Sequence, residues 1–74
     1  SAENAEYDNL MQRKLTKGLQ LLDDRSRAIV QARWLNEDNK ATLQTLADEY
    51  NVSAERIRQI ELQAMNQLRS HIEA

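Results

Sequence analysis

Apolar positions along the chain recur at helical spacing. Leu15, Leu19 and Leu22 stand at i, i+4 and i+7, one face of a short helix near 15–22. Asp23 or Asp24 then suits the start of a second helix, since a carboxylate accepts first-turn amides and favours the positive end of the helix dipole. That helix is expected over 23–35. Ala28, Ile29, Ala32 and Leu35 form one stripe on it, and Val30 and Trp34 form a second strip four residues apart. A helix apolar on two sides is either buried between neighbours or offers one side to a partner. The polar stretch 36–40 ends the pattern.

Thr42 suits the cap of a third helix near 42–50, with Leu43, Leu46, Ala47 and Tyr50 as its stripe. Asn51 tolerates the left-handed conformation that a tight turn needs. Val52 is the apolar residue of that turn, and Ser53 suits the cap of a fourth helix near 53–72. The expected core is Leu19, Leu22, Ile29, Ala32, Leu46, Ala47, Val52, Ile57, Ile60 and Leu68, with Trp34 and Tyr50 also read as core. Residues 1–14 are polar apart from Tyr7, Leu10 and Met11 and read as a linker or weakly docked helix. Residues 15–74 read as one all-α domain of four helices, the last one long.

On the fourth helix, Ile57, Ile60, Ala64, Leu68 and Ile72 share one face at about 100° per residue. Glu55, Arg56, Gln59, Gln63 and Asn66 cluster opposite, flanked by Arg58 and Arg69. Glu61 falls inside the apolar arc. A buried carboxylate without a partner costs several kcal/mol, so Glu61 is expected to pair across the helices, with Arg33 or Arg27.

Composition narrows the chemistry. A chain of 74 residues forms one domain at most. It has no Cys, one His (His71) and one Gly (Gly18), which rules out disulfides, Cys- or His-rich metal sites and glycine-rich phosphate loops. No apolar run approaches the ~20 residues of a membrane span, and no signal peptide is visible. The opening Ser1-Ala2 in place of Met suggests a piece of a longer protein. No nucleophile–base pair and no metal cluster can be assembled, so the chain does not read as an enzyme, and no cofactor is called for.

Net charge is −2, which by itself argues against avid nucleic-acid binding. Charge is also spread out: residues 23–35 carry +1, residues 36–52 carry −3, and the two ends balance. Any contact with DNA must therefore rest on a few placed side chains.

The third and fourth helices, joined by a short turn, form a helix-turn-helix candidate. Ala47 is small where the second helix must approach, Asn51 sits at the turn, and Val52, Ile57 and Ile60 are apolar where that helix packs back. An ordinary helical hairpin would share this packing. The outer face distinguishes the two. Glu55, Arg56, Arg58 and Gln59 occupy the first two turns, where a recognition helix presents side chains to base edges. Gln pairs with adenine, Arg with guanine, and Glu accepts from cytosine.

The stretch Val52-Ser53-Ala54-Glu55-Arg56-Ile57-Arg58-Gln59-Ile60-Glu61 resembles the region-4 signature of bacterial RNA polymerase sigma factors. Ala32-Arg33-Trp34-Leu35, Thr42-Leu43-Gln44 and the ending Arg69-Ser70-His71-Ile72-Glu73-Ala74 look closer still to the heat-shock sigma factors of proteobacteria. The resemblance spans about residues 15–74. It implies a cytoplasmic domain that reads the minus-35 promoter element while bound to core polymerase through the β-subunit flap. It implies major-groove or phosphate contacts for Glu55, Arg56, Arg58 and Gln59, and a phosphate contact for Arg33. A further phosphate would meet backbone amides at Thr42-Leu43. Ala54 stands where the housekeeping class carries a base-reading Arg, which fits a different minus-35 element. Gln63, Asn66 and Gln67 stand where that class has basic residues that meet upstream activators.

Two further readings compete. A helical interaction module could dock a partner, such as the polymerase flap, through Val30 and Trp34 without specific DNA contact. A stand-alone regulator would need a dimerisation element for two half-sites. No heptad pattern is present, so a monomer is expected. One observation bears on a site directly: if Glu61 pairs with Arg33, the phosphate role of Arg33 needs revision.

Overall fold

The computed structural model describes residues 2–73. Ser1 and Ala74, the outer ends of the two expected segments, lie outside the described residues, as do the side chains of residues 2–5. Among the described residues there are four helices and no strand: α1 (Ala2–Leu21), α2 (Asp24–Val30), α3 (Leu43–Tyr50) and α4 (Ala54–Glu73). A π-helical segment (Gln31–Leu35) continues α2.

Local chemistry sets each boundary. The Ser26 amide donates to Asp23 Oδ1 at 2.7 Å and starts α2. The Thr45 amide donates to Thr42 Oγ1 at 3.0 Å and starts α3. The Arg56 amide donates to Ser53 Oγ at 3.0 Å and starts α4. Each cap satisfies one of the amides that a helix start leaves without an intrahelical partner. Asn51 ends α3 with φ 58°. The Val52 amide donates to Ala47 O at 3.0 Å and the Asn51 amide to Asp48 O at 3.4 Å. These are the two bonds of a Schellman turn, and Val52 packs against the core beside them.

The core has two parts. Ile29, Leu46, Ala47, Ile57 and Ile60 lock α2, α3 and α4 together. Leu22, Val30, Ala64 and Leu68 form the second part, with Leu15 and Leu19 packed on it. Of the expected core, Leu19, Ala32 and Val52 are half-buried rather than buried.

Two expectations are corrected. The first helix does not begin near residue 15. The segment 2–14 is the N-terminal part of α1, and Tyr7 and Leu10 are exposed along it. Its intrinsic helix formers extend the helix past the stretch whose stripe meets α4. Second, the helix expected over 23–35 changes form at Gln31. Hydrogen bonding of the i→i+5 type widens the turn, so residues four apart no longer stack. Val30 is buried, whereas Trp34 is 49% exposed and Leu35 is exposed beside it. Trp34 is therefore not core; Tyr50, also expected there, is half-buried against the core. Arg27, the other cation offered for Glu61, is occupied elsewhere. It caps the end of α1, with Nε donating to Leu19 O at 2.8 Å and Nη2 to Leu22 O at 2.8 Å.

Gly18 carries a role that composition alone did not reveal. α1 and α4 pass in opposite senses, and a Cβ at position 18 would lie 2.8 Å from Leu68 Cδ2. The missing side chain permits this close approach.

Candidate nucleic-acid interface

The turn 51–53 fixes how α4 leaves α3. With Ile57 and Ile60 buried against Leu46 and Ala47, helical periodicity turns residues 55, 56, 58 and 59 outward. Glu55, Arg56, Arg58 and Gln59 are all exposed on the first two turns of α4. The expected cluster therefore forms one continuous surface on one rigid element.

Two members of this cluster are paired with each other. Arg58 Nη2 donates to Glu55 Oε1 at 2.6 Å and Arg58 Nε to Glu55 Oε2 at 3.0 Å. The Arg58 guanidinium, with a smaller contribution from Gln59, holds the Glu55 carboxyl below its ordinary value. The same pairing raises Arg58. Arg56 makes no side-chain hydrogen bond or ion pair among the described residues.

Thr42 is exposed at the start of α3, and Leu43 packs its side chain on the core. The Thr42 hydroxyl occupies the Thr45 amide. The Leu43 and Gln44 amides belong to the first turn, which has no intrahelical acceptors for them.

Arg33 sits apart from the α4 cluster. Its Nε donates to Glu61 Oε2 at 2.7 Å, with the two side chains 25% and 13% exposed. Its Nη1 donates to Ala41 O at 3.1 Å. The Trp34 ring lies beside the guanidinium, 5.8 Å from Cζ to the ring centroid. The expected partner of Glu61 is thus found, and Arg33 is engaged on three sides within the protein.

Comparison with known proteins agrees with this geometry. The family model "Sigma-70, region 4" matches residues 18–70. The chain belongs to the sigma-70 region 4 family. It is also 40% identical over 70 residues to the RNA polymerase sigma factor RpoH of Rhizobium radiobacter. The match covers 92% of this chain and 23% of that relative. The chain therefore spans about a quarter of the relative's length. The family match begins at Gly18 and includes α2, α3 and nearly all of α4, so both halves of the helix-turn-helix and all seven expected site residues fall within it.

Proposed function

We propose that the chain is the promoter-reading domain of a heat-shock sigma factor. It reads the minus-35 element in the major groove while held on RNA polymerase, in the cytoplasm. The observation that carries this reading is the face of Glu55, Arg56, Arg58 and Gln59 on the first two turns of α4. These turns are set against α3 by a Schellman turn and a shared core. Gln59 is assigned to a base edge and Arg56 to phosphate. Glu55 and Arg58 act together at the groove, each exchanging its partner in the protein for one on DNA. The amides at Thr42-Leu43 receive a phosphate from the neighbouring turn of backbone.

The likeness to a protein named as an RNA polymerase sigma factor supports attachment to core polymerase, with the β-subunit flap as the proposed contact. Trp34 and Leu35 favour a docking role alongside DNA reading, since both are exposed apolar groups on one short segment. The test is footprinting by polymerase carrying this chain as its region 4, on promoters with single minus-35 substitutions. Gln59→Ala is expected to relax preference at one base pair, and Trp34→Ala to weaken occupancy without changing preference. Preference left intact by Gln59→Ala would refute the DNA-reading role.

A further inference from the structure

The Arg33–Glu61 pair joins three parts of the domain. Arg33 lies in the π-helical segment, Glu61 lies one residue beyond the buried Ile60 on α4, and Ala41 immediately precedes the cap of α3. The Ala41 amide donates to Ala32 O at 3.0 Å, so the same peptide neighbourhood is held from both sides. One planar guanidinium thus ties the recognition helix to the start of the helix before it. Its Nε and Nη1 donors point at two fixed acceptors, a fork that an ammonium cannot reproduce. Trp34 lies over the same group.

We infer that Arg33 and Glu61 are positioning residues for base recognition, and that Arg33 is not a phosphate clamp. This rests on the DNA-reading role proposed above. Beside the turn 51–53, the pair holds α4 at a set angle to the residues that lead into the first turn of α3. Those are the two places where the domain would touch DNA, one through side chains and one through amides. Phosphate contacts fix register on the duplex while base contacts specify sequence, so an error in that angle misaligns the base-reading side chains while leaving the backbone contacts in place. Arg33 is largely buried and held on three sides, so it does not exchange Glu61 for phosphate as the exposed Glu55–Arg58 pair can.

The role is tested with the chain itself on two duplexes: one of mixed sequence, and one recovered from a random pool by selection with the wild-type chain. Affinity is measured as a function of salt. A residue that contacts phosphate contributes about one unit to the salt slope. Arg33→Ala is expected to leave the slope on the mixed duplex unchanged. It is expected to cut the preference for the selected duplex by about tenfold, the scale of one misplaced base-reading side chain. Arg33→Lys retains the charge and should behave as Arg33→Ala does in preference. Glu61→Ala should match both in preference, and the double variant Arg33→Ala/Glu61→Ala should lose no more preference than either single change, because contacting residues that act as a unit are not additive. Far-UV circular dichroism checks that each variant folds, and Arg33→Lys is the variant to read if Arg33→Ala does not. A slope lowered by about one unit in Arg33→Ala and restored by Arg33→Lys overturns the proposal and makes Arg33 a phosphate contact. A wild-type chain for which selection recovers no duplex preferred over the mixed one overturns the DNA-reading role itself, and the positioning role with it.

Discussion

Gly18 and Leu68 meet where α1 crosses α4, so closely that a side chain at position 18 would require the buried Leu68 side chain to shift. A methyl group there would stand 2.8 Å from Leu68 Cδ2, and Leu68 is itself buried in the second core cluster. Two effects oppose each other on Gly18→Ala. Alanine in a helix interior is better than glycine by about 1 kcal/mol. Forcing an extra methyl into a packed cluster costs about 1–3 kcal/mol. The clash is the larger, so Gly18→Ala is expected to lower the melting temperature. In a Leu68→Ala background the same change should raise it, because only the helix gain remains. A thermal-melt cycle of the four variants measures the reversal. Simple additivity would show that the two helices do not pack this closely.

Ile57 provides a second stability test. It is fully buried at the centre of the cluster that joins α2, α3 and α4. Ile57→Ala should cost about 2–5 kcal/mol through lost transfer energy and a cavity. Urea unfolding monitored by circular dichroism measures it. An unmoved midpoint would remove Ile57 from the core.

Much of this fold is written in local chemistry, which is why it could be read without coordinates. Asp23, Thr42, Asn51 and Ser53 act through amides within a few residues of themselves, and each stands at the boundary its residue type implies. Glu61 was legible for a different reason. A carboxylate within an apolar arc requires a cation, and few cations lie within reach. The errors occur where distant geometry decides. Val30 and Trp34 share a strip only if the helix keeps its ordinary pitch, and the π-helical segment changes that pitch. Gly18 gains its meaning from the helix opposite, which sequence spacing does not identify. Arg27 could be seen as a spare cation but not as the cap of the preceding helix. Within the expected interface, residue types and spacing predicted the exposed face of α4. They did not reveal that Glu55 and Arg58 hold each other.

The cap at Asp23 makes stability depend on pH in a defined direction. The Ser26 amide, then its hydroxyl, holds the Asp23 carboxyl below its ordinary value of 3.8. A carboxyl depressed by folding binds protons more readily when unfolded, so stability rises with pH across that range. Its contribution is fully present above about pH 4 and is lost as pH falls through the lower folded value. Glu55, depressed mainly by Arg58, acts in the same sense. Asp23→Asn keeps an acceptor for the Ser26 amide but has no titrating group. It should fold as the parent does and show a weaker loss of melting temperature between about pH 5 and pH 2. A parent and variant with identical acid profiles would show that Asp23 does not contribute to the acid sensitivity.

The charge of the domain limits how tightly it can bind alone. Net charge is −2, Arg33 is matched by Glu61, and Arg58 is matched by Glu55. Few cations remain to displace counterions from DNA. The free chain is therefore expected to bind duplex in the non-specific range of about 10⁻⁴–10⁻⁶ M at physiological salt. Under the proposed function the base preference resides in the chain, whereas promoter occupancy depends on tethering, since polymerase would hold the domain beside the promoter at a high effective concentration without adding a contact to DNA. Within that complex, Gln59→Ala should lose about 1–3 kcal/mol at one base pair. Arg56→Ala should weaken all sequences alike and lower the salt slope by about one unit. Glu55→Gln breaks the charge match on Arg58, so it should strengthen binding to mixed-sequence duplex and narrow the gap between preferred and other sites. Fluorescence anisotropy on labelled duplexes, with and without polymerase, measures all three. Nanomolar binding by the free chain would show that tethering is not needed and that Arg58 is not restrained by its partner.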